Sequence, residues 1–294
     1  MTLGPGRSGA EKLSLFGAKQ DRGFKARAGG VLSLYWVAAI APLLWLVWTA
    51  FAATQSEPLA LRAYAAIADP RNVSALANSL VVAGMTGVLL AFVTAVGGLA
   101  LCFCGLTGLR WGFLLAVLPL CLPDIVVGVV GRALVDPGIG LLRSLSPSTL
   151  LLDRTTALML VAGVVALKWA PLAISVGDYS LSRLGTPRLA QAEMDFGSFW
   201  LATRVVHWPK LRDAVGVMGA LGLLIGFRQH ELAVSLTSSG AGFASELWAP
   251  WNQKVLFSFA EPHAAALQAL PVAAVIGVAL LAGGHLSRRR AILR

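Results

Sequence analysis

Residues 72–109 read NVSALANSLVVAGMTGVLLAFVTAVGGLALCFCGLTGL, a stretch with no Asp, Glu, Lys or Arg. It is longer than the ~20 residues a helix needs to cross a hydrocarbon core. Charge-free stretches of the same kind run over 28–56 and 262–287. Three further apolar stretches, near 111–134, 157–178 and 214–236, are long enough but hold charges at Asp124, Lys168, Arg228 and Glu231. The expected fold is therefore all-α: a polytopic membrane protein with six transmembrane helices, at about 31–53, 79–103, 111–134, 157–178, 214–236 and 264–286.

Composition agrees with that reading. Of 294 residues 57% are hydrophobic and only 13% charged, with mean hydropathy +0.74, whereas soluble domains carry about 25% charged residues. A soluble globular enzyme is excluded. The formal charge of +10 reports topology rather than nucleic-acid binding, because the cations are unevenly placed. Sixteen Lys and Arg fall in the N-terminal segment, at Arg110, in the 179–212 loop and in the C-terminal tail; five (Arg62, Arg71, Arg143, Arg154, Lys254) fall on the other side. By the positive-inside rule both termini lie in the cytoplasm, in a multi-pass protein of the cell (inner) membrane.

Ala50-Phe51-Ala52 resembles a signal-peptide cleavage site, but the apolar core from Val31 to Ala53 is longer than a signal core of ~7–15 residues, so the first span is retained. Residues 1–30 form a basic leader too poor in large apolar side chains to order itself. Residues 31–286 form one membrane domain, and 287–294 a basic cytoplasmic tail. Cys102, Cys104 and Cys121 lie in apolar stretches without the extra Cys or His of a zinc site, and the four histidines are too scattered to bind metal.

The 179–212 loop is written as two short helices. Thr186 caps the first, Pro187 opens it, RLAQAEMDF continues it and Gly197 stops it. Ser198 then caps FWLATRVVHW, which is expected to end at Pro209. The elbow exposes Phe196, Phe199, Trp200, Val205, Val206 and Trp208 among Gln191, Glu193, Asp195 and Arg204. Two readings fit: a docking site, since apolar residues rimmed by charge mark one, or an aromatic belt at the lipid headgroups.

These residues carry a resemblance. Gln191-Ala192-Glu193-Met194-Asp195-Phe196-Gly197, followed twelve residues later by Pro209, resembles the EAA loop of type I ABC-importer permeases. Ala192, Asp195, Gly197 and Pro209 match that pattern, while Gln191, Glu193 and Trp208 depart from it. Asn78-Ser79-Leu80, Leu118-Pro119-Leu120-Cys121-Leu122-Pro123 and Trp169-Ala170-Pro171 follow in the family's order. The part from Arg228 to Trp248 is similar to ferric-iron, thiamine and phosphonate permeases, with polyamine permeases next.

The resemblance implies a permease subunit of an ATP-driven importer that couples to two cytoplasmic ATPase subunits through the elbow. Gly197 would set its angle, Glu193, Asp195 and Arg204 would offer charge partners, and Phe196 or Phe199 would be the buried anchor. It further implies a second permease subunit, or a second copy, and an extracytoplasmic solute-binding protein. ATP and Mg would sit on the ATPase, with no cofactor on this chain. No lysine follows a glycine, so no Walker A loop is present, and the chain is expected not to be an enzyme.

Charges inside the spans should face protein or water, since an unpaired one costs roughly 2.5–3.5 kcal/mol on insertion scales. Asp124, Lys168, Arg228 and Glu231 either line a translocation path or form structural pairs: Arg228 with Glu231, which at i,i+3 share a helix face, and Asp124 with Lys168. Gly216, Gly219, Gly222 and Gly226 lie along one helical face suited to close packing, within the chain or between subunits. An alternative function is a proton-coupled secondary transporter with Asp124 and Glu231 as relay carboxylates.

Overall fold

A computed structural model describes residues 40–52, 58–104, 117–136, 140, 153–182, 194–195, 197–238 and 245–292, with the side chains of 102–104, 199 and 279–292 left aside. The described chain is all-α, with no strand among the described residues. The helices are α1 (Ile40–Phe51), α2 (Leu59–Ala68), α3 (Pro70–Cys104), α4 (117–121), α5 (Asp124–Val135), α6 (Arg154–Ser182), α7 (199–227), α8 (Glu231–Thr237), α9 (Trp248–Gln253) and α10 (Pro262–Ile292). Two of them, Pro70–Leu101 within α3 and Arg154–Ser182, are long and apolar enough to cross a membrane.

The chain forms two compact units. In the first, made of residues up to Ala63 together with those from Pro262, His263 Nδ1 lies 2.6 Å from the Thr49 carbonyl and ties the start of α10 to the end of α1. Pro271 sits inside an uninterrupted α10.

The second unit, Tyr64–Glu261, is built around α3. Its start is fixed by Asp69, whose Oδ1 accepts the Arg71 N–H at 3.0 Å ahead of Pro70 at the first helical position. Asp153 does the same for α6 through the Thr156 N–H, also at 3.0 Å. Along α3 Val82 packs with Leu158, Val161 and Val165, and Leu90 with Ala166 and Ala173, so α3 and α6 run parallel. Gly98 lies against Gly177 at their far ends.

α7 runs antiparallel to α3. A Cβ on Gly226 would fall 2.8 Å from Ala83 Cα, one on Gly222 2.8 Å from Gly87 Cα, and one on Gly219 3.4 Å from Ala91 Cβ. The glycine face is therefore consumed within the chain, except at Gly216, where space is open.

The structure corrects two expectations about α7. The helix does not end at Pro209: Phe199–Ala202 continues through a π-turn at Thr203–His207 into Trp208–Phe227 without interruption. The Trp208 N–H bonds to the Thr203 carbonyl five residues back, and this wider turn accommodates the missing N–H of Pro209. At its other end the helix stops at Phe227, so 214–236 is not one continuous helix, and Arg228 and Glu231 do not share a helix face. His230 at φ −125° ψ −71° breaks the ladder before α8 restarts at Glu231. The expected span at 111–134 is likewise divided, by extended backbone at Pro123 (φ −56°, ψ 147°), whereas Pro171 is absorbed inside α6.

Candidate functional site

Lys168 stands on the inner face of α6 with 7% of its side chain exposed. A cation so buried needs a partner, and two lie on either side of Pro123. Its Nζ donates to the Leu122 carbonyl at 2.8 Å and forms an ion pair with the Asp124 carboxylate. The Leu122 carbonyl is left outside the ladder by the break between α4 and α5, where the Val126 N–H bonds the Pro123 carbonyl instead, and Lys168 satisfies it. Asp124 keeps 32% of its side chain exposed.

Arg228 and Glu231 are both exposed at the α7–α8 break. The structure brings Asp124 and Lys168 together and leaves Arg228 and Glu231 on separate segments.

A second polar cluster joins the N-terminal ends of α3 and α6 to the segment before α9. Asn78 Nδ2 donates to the Glu246 carbonyl at 2.8 Å, Arg154 Nε donates to Asn78 Oδ1 at 2.9 Å, and the Trp248 N–H donates to Ser79 Oγ at 2.8 Å. The Glu246 carboxylate, 7% exposed, pairs with Lys254. Sequence reasoning noted Asn78 and Ser79 only as part of an ordered motif and missed Glu246 altogether. Its signal was faint: one acid among apolar neighbours, eight residues from the only nearby cation.

The elbow is described from Met194. Gln191, Ala192, Glu193 and Phe196 lie outside the described residues, and Phe199 is described by its backbone alone. Met194 and Asp195 are helical and exposed; Gly197 follows at φ +57°, the left-handed conformation that stops a helix. The next helix starts at once, with the Ala202 N–H on the Ser198 carbonyl at 3.0 Å.

Across the π-turn the buried face runs Ala202, His207, Leu211, a spacing of five and then four. Arg204, Val205, Trp208 and Pro209 are exposed, as is Trp200 at 74%. Ser180 Oγ donates to the Lys210 carbonyl at 2.8 Å and fastens this helix to the end of α6. The described part of the elbow thus exposes apolar side chains, Met194, Trp200, Leu201, Val205 and Trp208.

Among the described residues no three His, Cys, Asp or Glu side chains gather where they would hold a metal ion. No family model matches this chain, and no curated protein matches it.

Proposed function

We propose that this chain is the permease subunit of an ATP-driven importer, with six transmembrane helices, both termini in the cytoplasm, and the elbow as the docking point for a cytoplasmic ATPase. Trp200 carries the argument. Lys210, Arg212 and Asp213 are exposed near the start of the helix Trp208–Phe227, so on this helix the hydrocarbon core begins no earlier than about Ala214. Trp200 stands fourteen residues before Ala214 on the same continuous helix, about 21 Å beyond that edge. A headgroup layer of roughly 5–7 Å per leaflet does not reach Trp200. Together with exposed Met194 and Leu201, Trp200 forms an apolar tip in water that calls for a protein partner.

On this reading the path carries a small polar solute of the ferric-iron, thiamine, phosphonate or polyamine type. It is delivered by an extracytoplasmic binding protein and passes between this chain and a second permease or a second copy. Two ATPase subunits supply ATP and Mg. The proton-coupled alternative is weakened by the Lys168 ion pair, which engages one of its two relay carboxylates.

The test is a mild-detergent pulldown of the tagged chain, with Trp200→Asp and Gly197→Pro alongside. Recovery of a Walker-motif ATPase with the parent and its loss with both variants supports the proposal. Recovery of the chain alone, with uptake abolished by a protonophore, overturns it.

A further inference from the structure

In the first unit, α1 and the start of α2 carry features that packing within the chain leaves unused. α1 exposes Trp45, Trp48 and Phe51, which with Ala41, Leu44 and Val47 line an open apolar groove of about 720 Å³. α2 has ten residues, about 15 Å of helix, and is too short to cross a hydrocarbon core. Its exposed apolar side chains Leu61, Tyr64 and Ile67 recur every three residues and so form one stripe, while Leu59, Arg62, Ala63 and Ala66 make the half-buried opposite face.

Arg62 is the anomaly on that face. Its Nε and Nη1 are buried and have no hydrogen-bond partner. None of the described residues of the first unit is an Asp or Glu, so no carboxylate among them neutralises the guanidinium, a permanent cation. A desolvated cation without a counter-charge is strongly disfavoured, and an anion brought in from outside the chain relieves it. Arg62 as a whole is only half-buried, which leaves the group open to such an approach. Its planar fork of donors matches the oxygens of a phosphate.

We propose that the first unit holds one anionic phospholipid, its phosphate on the Arg62 guanidinium and an acyl chain along the α1 groove. Charge selects the phosphate and the apolar lining selects the chain, so a lipid satisfies both where a free anion satisfies only one. A headgroup of net negative charge is preferred to a zwitterionic one, because an amine on the same headgroup competes with Arg62 for the phosphate. Beside it the stripe of Leu61, Tyr64 and Ile67 meets lipid, with Tyr64 at headgroup depth. The site rests on the membrane placement proposed above but not on an ATPase, so it and the coupling role of the elbow fail on different experiments.

Native mass spectrometry of the full chain in detergent, supplied with equal amounts of phosphatidylglycerol and phosphatidylethanolamine, tests the site. The parent is expected to retain one phosphatidylglycerol about fivefold more often than phosphatidylethanolamine, the factor to which about 1 kcal/mol per cation at a membrane surface corresponds. Arg62→Met should abolish that preference, and Arg71→Gln, at an exposed arginine, should keep it. Equal retention of both lipids by the parent, an unchanged preference in Arg62→Met, or its loss in Arg71→Gln overturns the proposal. Excess inorganic phosphate should leave the lipid bound; displacement would make Arg62 a free-anion site and overturn the lipid. Arg62→Met also removes the unpaired cation, so without lipid its unfolding midpoint should match or exceed the parent's, and phosphatidylglycerol should raise the midpoint of the parent alone. Should Arg62→Met fail to fold, the parent decides: a midpoint raised equally by both lipids, or by neither, overturns the proposal.

Discussion

Gly222 faces Gly87 so closely that a Cβ at 222 would sit 2.8 Å from Gly87 Cα and 3.0 Å from the Thr86 carbonyl. Both obstacles are α3 backbone or fixed to it, so no side chain can rotate away. Packing of this kind depends on backbone approach and dispersion rather than on excluding water, which suits helices in a medium as apolar as themselves.

Gly222→Ala is expected to destabilise the chain by about 1–3 kcal/mol, the usual cost of overpacking. Gly216→Ala, with open space around it, should be neutral or stabilising by up to ~1 kcal/mol, because alanine is the better helix former. Thermal unfolding of the detergent-solubilised chain separates the two.

Lys168→Met strands the Asp124 carboxylate and the Leu122 carbonyl. Breaking a buried pair costs about 3–5 kcal/mol, and the partial exposure of Asp124 sets the expectation at the low end. Adding Asp124→Leu should recover most of that loss, because no uncompensated charge remains. A double-mutant cycle on chemical unfolding measures the coupling.

Much of this architecture is legible in the sequence because apolar runs and helix stops are local. The charge-free run at 72–109 does lie largely in α3, and Gly197 does adopt the left-handed stop at φ +57°. Pro209 reads as a helix end because a proline commonly stops one, while the π-turn at Thr203–His207 that accommodates it has no local sequence mark. The break at Arg228–His230 was invisible for a related reason. The segment Phe227-Arg228-Gln229-His230-Glu231 contains no glycine or proline, and the tertiary fit of α8 on Gly128 accompanies the turn there. The Glu246–Lys254 pair depends on how the α9 region folds back on Asn78, which spacing alone does not encode.

Within that pair the two partners are unequal. Glu246 is 7% exposed and Lys254 35%, so removing the cation leaves the more buried charge behind. Lys254→Met is expected to be the more damaging, at about 3 kcal/mol. Glu246→Gln, which keeps the backbone carbonyl that Asn78 binds and leaves a lysine able to reach water, should cost roughly half as much or less. Hydrogen exchange over 245–258 reads the difference.

The elbow offers the sharpest contrast. Gly197 holds φ +57° with nothing among the described residues within 4 Å of its would-be Cβ, so Gly197→Ala is expected to suffer chiefly the left-handed backbone penalty of about 1–2 kcal/mol. That penalty falls on the turn alone, so the expected outcome is a normal unfolding midpoint with faster proteolysis around 194–199 and, on the proposed function, weaker ATPase co-purification. Pro209→Ala restores an amide inside an uninterrupted helix and should leave both proteolysis and co-purification at parent levels. If the alanine at 209 proved as damaging as the one at 197, the proline would be shaping the elbow after all, and the continuity of the helix through the π-turn would not hold in the membrane.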